Sequence, residues 1–316
     1  MTTTTTSGAA TTTTTTTTTT GMREEFVRVT TEAIEQDERV ALVIAAISAD
    51  RFTSALARHP DRVVDVGIRE QAMVGVAAGL ALTGHRAVVH TYVPFLIERP
   101  YEQVKLDFGH QGVHPVLVSI GASYDEPSTG RTHQAPADVA LVDALPGYTI
   151  HVPGHAAEVE PLLRAALASD EPVYLRLSQR QNSAPMPATG GLVPVRHGSL
   201  GVVVAVGPVL DQVLAATEGL DVAVLYTATA RPFDAAGLRA AVDSAAPNVV
   251  VVEPYLRDTS AGVVAAALRD LPHRQLGLGV RRDAEVHAYG TVEEHDAVHG
   301  LDPAGIREAV RGFLGA

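Results

Sequence analysis

From Met22 onward the apolar positions switch repeatedly between two spacings. "REEFVRVTTEAIEQ" carries them at helical intervals behind a charged face, and "VALVIAAI" is a short, unbroken apolar run of strand type. The alternation continues through helix "EQAMVGVAAGLAL", strand "RAVVHTYV" and helix "FLIERPYEQVKLDF", which kinks or breaks at Pro100. Strand "PVLVSIG", loop "ASYDEPSTGRTHQAP", helix "ADVALVDAL" and strand "YTIHVP" follow, then helix "AAEVEPLLRAALAS" and strand "PVYLRLS". Strands that are apolar throughout, separated by helices, suit a parallel sheet covered on both faces, because such strands have no solvent side. "QRQNSAPMPATGGLVPVRHGSLG" breaks the rhythm with Pro, Gly and polar residues and reads as a linker. Beyond it the alternation resumes, from "VVVAVG" to the closing helix "GIREAVRGFLGA". The expectation is an α/β chain of two doubly wound open-sheet domains, the first over residues 22–190 and a smaller one over 191–316.

The first 21 residues, "MTTTTTSGAATTTTTTTTTTG", show neither spacing. Nearly pure Thr cannot bury enough apolar surface to offset the entropy of ordering, so residues 1–21 read as a disordered tail, with intermolecular strand pairing as the competing reading. The segment has neither the basic start nor the apolar core of a secretory signal, and a cytoplasmic location is expected. Of the 316 residues 46% are hydrophobic but only 4% aromatic, so the core must be aliphatic. The net charge of −12 disfavours nucleic acid and anionic membranes as general partners, without excluding a local anion site. The absence of Cys removes disulfides, thiolate metal sites and thiol nucleophiles. No uninterrupted apolar stretch is long enough to span a bilayer. Neither GxGxxG after a strand nor GxxxxGK[ST] occurs, and Val206-Gly207-Pro208 reads as a plain strand-to-helix turn.

One stretch raises a chemical question. In "DVGIREQAMVGVAAGLALTG", Asp65 to Gly84, a single carboxylate, Glu70, heads a run of small apolar residues. Such a run reads as a buried helix, and burying an unpaired carboxylate costs several kcal/mol. Glu70 therefore lies at an exposed helix end or has a dedicated partner.

This stretch resembles the pyrimidine-binding segment of the transketolase superfamily of thiamine diphosphate enzymes. Further segments resemble that family in its own order. They are "TYVPFLIERPYEQV", an aromatic segment around the cofactor's pyrimidine; "TGRTHQAPADVALVDALPGYTIHVP", the family's DGPTHQ loop and its sequel; "VYLRLSQRQN", a strand ending in Arg-Gln-Asn; and "VAVLYTATARPFD" and "YGTVEEHDAVHGLDPAGIREAVRGFL" of the C-terminal domain. The resemblance covers essentially all of Met22 to Ala316. The family's N-terminal diphosphate- and metal-binding domain, with its GDG motif, has no counterpart here. The resemblance thus implies the small subunit of a split transketolase, whose large subunit supplies the diphosphate site and Mg2+ or a similar divalent ion. A heterotetramer of two large and two small chains is expected, with no metal site on this chain.

By the same resemblance Glu70 hydrogen-bonds the aminopyrimidine of thiamine diphosphate and favours its imino tautomer, which removes the thiazolium proton. Tyr92 and Phe95, three apart, are candidates to stack on the pyrimidine, with ordinary core packing as the competing reading, and Tyr101 is a further candidate. His133 resembles the histidine that contacts the substrate oxygen and assists proton transfer; without that context it would be a solvated loop group. Arg180, in "QRQN", resembles the arginine that grips a sugar phosphate, and Arg23, in "GMREEF", a second arginine of that anion site or else a solvated helix charge.

Departures concern the substrate. Thr129 and Arg131 replace the acid and the proline of DGPTHQ, and a further family histidine aligns near Gly121 and is absent. Asp125 or Glu126 offers a carboxylate from a new position. The implied activity is transfer of a two-carbon ketol unit from a ketose, or ketose phosphate, to an aldehyde; a deoxyxylulose phosphate synthase-like reaction is its variant. The alternatives are the beta subunit of a 2-oxo acid dehydrogenase and a non-catalytic assembly subunit. The small-residue face of Ala72 to Leu82 suits close packing, internal or across a dimer. His295 and His299 in "HDAVH" read as a solvated pair.

Overall fold

A computed structural model describes residues 20–315. The Thr-rich tail expected over residues 1–21 lies outside the described residues, except for Thr20 and Gly21. In chain order the elements are α1 (Met22–Gln36), β1 (Val40–Ile44), α2 (Thr53–Arg58), β2 (Val63–Asp65), α3 (Glu70–Leu82), β3 (Arg86–Tyr92), α4 (Tyr101–Gln103), β4 (Val116–Ile120), α5 (Asp138–Asp143), β5 (Thr149–His151), α6 (Ala156–Ala168) and β6 (Val173–Arg176). Then come β7 (Val193–Arg196), β8 (Val202–Val206), α7 (Leu210–Ala216), β9 (Ala223–Thr227), β10 (Thr229–Arg231), α8 (Ala235–Asp243), β11 (Asn248–Leu256), α9 (Ala261–Ala267), β12 (Arg274–Val280), α10 (Val292–His299) and α11 (Pro303–Leu314).

The strands form a seven-stranded sheet, β10-β5-β6-β4-β3-β1-β2, and a five-stranded sheet, β12-β11-β8-β9-β7. Pairing in the first sheet is parallel from β5 to β2, with Leu42 beside Val88 and Val89 beside Leu117. β1, β4 and β8 are buried at every position, as their unbroken apolar sequences require. Helices on both faces of each sheet complete the α/β architecture expected from the alternation.

Two short strands tie the halves together in a way the alternation does not show. β7 lies inside the expected linker and pairs antiparallel with β9 at the sheet edge, where Pro194 is tolerated. β10 leaves the second half and pairs antiparallel with β5, so a cut at residue 190 would strip the first sheet of its edge strand. At the junction Tyr226 Oη donates to Glu158 Oε2 at 2.5 Å, and Asn182 Nδ2 donates to the Gly207 carbonyl at 3.1 Å. Gly207 forms the expected turn at φ 62°, and a Cβ there would lie 2.6 Å from the Val152 carbonyl oxygen. The loop carrying His133 is anchored from below by a fully buried ion pair. Arg176 Nε donates to Asp138 Oδ2 at 2.6 Å, Tyr174 Oη donates to the same oxygen at 2.6 Å, and Arg176 Nη2 reaches Ser123 Oγ at 2.6 Å. No helix among the described residues is long and apolar enough to cross a membrane.

Candidate active site

The site lies at the carboxyl ends of β3 and β4, where open parallel sheets gather their loops. Glu70 is the first residue of α3 and only 2% exposed. Of the two readings left open by the sequence, the exposed helix end is corrected, because Glu70 starts the helix yet is buried, and the dedicated partner is found. Arg99 Nη1 donates to Glu70 Oε1 at 2.7 Å. The Arg99 guanidinium carbon lies over the Phe95 ring, 4.1 Å from its centroid. Arg99 reaches this position because Pro94–Glu98 winds as a wide turn, with Arg99 N bonded to the Pro94 carbonyl five residues back. One extra residue per turn is a known means of re-aiming side chains at functional sites.

Three rings form one group beside the ion pair. Tyr92 and Phe95 meet edge to face at 6.3 Å, and His133 stands 5.8 Å from Tyr92 and 5.2 Å from Phe95. Tyr92 Oη donates to Glu126 Oε1 at 2.8 Å. Burial, and then this carboxylate, push the Tyr92 hydroxyl up to about 12, so it stays protonated and donating near neutrality. Tyr92 is admitted by Gly121, held at φ 74°: a Cβ there would lie 2.4 Å from the ring. His133 Nδ1 is 3.0 Å from Thr132 Oγ1. Thr129 turns its hydroxyl back onto the Glu126 carbonyl at 2.6 Å. Arg131 donates to Glu285 Oε1 at 3.2 Å, and the Tyr289 ring packs where a Cβ on Gly130 would lie, 2.9 Å away. The two residues that depart from DGPTHQ thus brace the loop, one internally and one against the C-terminal half.

Arg23 lines a cleft of about 430 Å³ together with Arg51, Gly121, Glu126 and Gln179. It is oriented by a directional relay. Burial lowers His90 to about 4, so its imidazole is neutral. Its Nδ1 lies 2.8 Å from the Val118 carbonyl, which only accepts, so Nδ1 carries the proton. Nε2 therefore accepts from Ser48 Oγ at 2.9 Å, and Ser48 Oγ accepts from Arg23 Nε at 3.1 Å.

Other sequence candidates sit elsewhere. Arg180 does not line the cleft of Arg23; its Nη2 donates to Asp296 Oδ2 at 2.7 Å, and Tyr124 Oη donates to the other oxygen of Asp296 at 2.6 Å. Tyr101 donates to the Leu141 carbonyl at 2.9 Å and is not brought to the ring group. Asp125 accepts from Ser178 Oγ and from the backbone of Ala122 and Gln179, which fixes the loop, whereas Glu126 lines the cleft. The expectation of a solvated His295–His299 pair is corrected. His295 is 2% exposed and stacks on Tyr124 at 5.3 Å, and His299 is half-buried at 5.2 Å from the same ring. α10 turns His295 and Asp296 into the seam of the two halves, and burial brings His299 down to about 4. Arg99 and Asp296 were not singled out for these roles, whereas Glu126 was one of the two carboxylates offered for the loop. The one available signal was a lone charge in an apolar strand, Arg176 of "VYLRLS", which requires a buried counter-ion.

Residues 14–184 match the family described as the transketolase pyrimidine-binding domain. The chain belongs to the transketolase superfamily. Among relatives of this transketolase-family chain, an uncharacterized 33.6 kDa protein in the fasciation locus of Rhodococcoides fascians is 51% identical over 285 residues, covering 90% of this chain and 91% of the relative. A 6-deoxy-6-sulfo-D-fructose transketolase subunit of a Clostridium species is 30% identical, covering 71% and 74%. The 1-deoxy-D-xylulose-5-phosphate synthase of Alkalilimnicola ehrlichii is 33% identical over 89% of this chain, which spans 46% of that enzyme. Among solved structures, a split-gene transketolase in an inactive beta4 tetramer superposes with a TM-score of 0.77 at 24% identity, over 93% of this chain and 98% of that one. A transketolase of Pichia stipitis superposes with a TM-score of 0.75 at 17% identity, over 95% and 46%.

Proposed function

We propose that this chain is the small subunit of a split, thiamine diphosphate-dependent transketolase, transferring a two-carbon ketol unit from a ketose to an aldehyde with a large partner subunit. The observation that carries the reading is the buried Glu70 at the start of α3, linked through Arg99 to Phe95 of the ring group of Tyr92, Phe95 and His133. Family membership, and the likeness of most of the chain to a transketolase subunit and a split-gene transketolase, support the partnership. The residues fit an aminopyrimidine. A planar nitrogen-bearing group, the Arg99 guanidinium, already lies over Phe95 with an N–H on Glu70, which is the contact set that an aminopyrimidine edge requires.

Bound thiamine diphosphate supplies a carbon nucleophile for the substrate carbonyl. Glu70 holds its hydrogen bond at the pyrimidine ring nitrogen from a water-poor position, where that bond is strong. Tyr92 and Phe95 hold the ring plane and exclude water. His133, whose Nδ1 is next to Thr132, has Nε2 for proton transfer at the substrate oxygen. The domain division near residue 190 and the placement of Mg2+ on the large subunit are parts of the same proposal.

Assembly follows from α3. Its residues Ala72, Gly75, Val76, Gly79 and Leu82 are exposed yet apolar, at spacings that fall on one helix face. A second copy of this chain covers that face in the proposed two-plus-two assembly. The test is ketol transfer by this chain mixed with a diphosphate-binding transketolase chain. Activity should need both chains and fall at least about a hundredfold in Glu70→Ala; undiminished activity in that variant would sink the proposal.

A further inference from the structure

We propose that the cleft of Arg23, Arg51, Glu126 and Gln179 receives the far end of the substrate as an uncharged, hydroxyl-bearing chain, and that Glu126 selects it against a phosphate ester. This deepens the reading above and rests on it only in taking the adjoining ring group as the cofactor's side of the site.

Two of the three arginines available for an anion are withdrawn. Arg180 is held by Asp296, which Tyr124 also engages, and it lines a separate small hollow of about 20 Å³. Arg51 Nη1 is bonded to Glu24 Oε1 at 2.8 Å. Among the described residues lining the cleft, Arg23 and Arg51 are balanced by Glu24 and Glu126. No cationic or imidazole side chain stands at position 121, because Gly121 leaves its space to the Tyr92 ring.

Glu126 then sets the polarity of the cleft. Both bonds that fix it, from Tyr92 Oη and from Gln179 Nε2, each at 2.8 Å, go to Oε1. Oε2 accepts none among the described residues. A carboxylate oxygen in a cleft demands a donor. A hydroxyl supplies one and also accepts, from the guanidinium of Arg23 or the amide of Gln179. A phosphate dianion offers acceptors only; it would leave Glu126 unmatched and set two like charges side by side. Tyr92 joins the two parts of the site, since its ring touches Phe95 and His133 and its hydroxyl holds Glu126. The carboxylate is thereby fixed relative to the reacting end.

The test is calorimetric titration of the full chain, without cofactor or partner, using inorganic phosphate and ribose 5-phosphate at constant ionic strength. The signal read is the saturable binding that Arg23→Ala abolishes. The wild type should show none, and Glu126→Gln, which keeps an acceptor for Tyr92, should gain it. Arg23-dependent phosphate binding by the wild type would overturn the proposal. So would silence in Glu126→Gln, because Glu126 would then not be the selecting group. Failure of the transketolase reading would instead appear as no thiamine diphosphate uptake by the two-chain mixture, a result independent of this titration.

Discussion

Arg99 is the residue on which the chemistry of Glu70 turns. It keeps a buried carboxylate paired, and it covers the ring face that the pyrimidine is proposed to use. Arg99→Ala should therefore tighten thiamine diphosphate binding by the two-chain complex roughly tenfold, while destabilising this chain by about 1–3 kcal/mol through the unpaired Glu70. Unchanged affinity by calorimetry would mean that Arg99 stands clear of the cofactor. Glu253 makes a separate pH prediction. It is fully buried, with Oε1 bonded to Thr259 N at 2.8 Å and Oε2 unpartnered, and burial raises it to about 7. The folded chain thus keeps a proton that the unfolded chain releases above its ordinary value of 4.5, so stability falls as pH rises from there through about 7. Glu253→Gln should remove this loss, on the order of 3 kcal/mol, between about pH 5 and about pH 8 in urea unfolding. A variant with the wild-type pH dependence would show that Glu253 does not carry it. At this scale the sequence was legible where a residue contradicts its surroundings, as Glu70 does at the head of an apolar run. It was not legible for Arg99, an ordinary arginine in a turn, or for His295, whose stacking partner Tyr124 is remote in sequence.

Elements with long, strongly apolar patterns were readable, whereas the half-exposed β12 and several short elements were not. α3 runs over the residues expected of it, and β1, β3 and β4 fall within their apolar runs. β2 and β10 have three residues each, too few to show a period, and β7 hides in a proline-rich stretch because an edge strand does not need every N–H. The elements that carry the site depend on one buried tie. Asp138→Ala should cost about 3–5 kcal/mol, because it strands Arg176 in the interior. Chemical denaturation measures this cost, and a loss below about 1 kcal/mol would show that solvent reaches Arg176. The exposed face of α3 makes the assembly prediction. Val76→Arg should block self-association in sedimentation while leaving the monomer folded, and retained oligomers would move the contact to another surface.

For the molecule as a whole, the two sheets are fastened by β10, by Tyr226–Glu158 and by the α10 seam around Tyr124, and the site wall lies on the first half. That wall holds a carboxylate, a ring group and a histidine, and among the described residues no cluster of three or more His, Asp or Glu is placed to hold a metal ion. The central claim is that this wall is one half of a shared thiamine diphosphate site. Calorimetry with thiamine diphosphate and magnesium, on this chain alone and then mixed with a diphosphate-binding transketolase chain, tests it most directly. The account predicts binding only in the mixture, lost in Glu70→Ala. Tight, metal-dependent binding by this chain alone, or no binding by a mixture that demonstrably forms a complex, would contradict it.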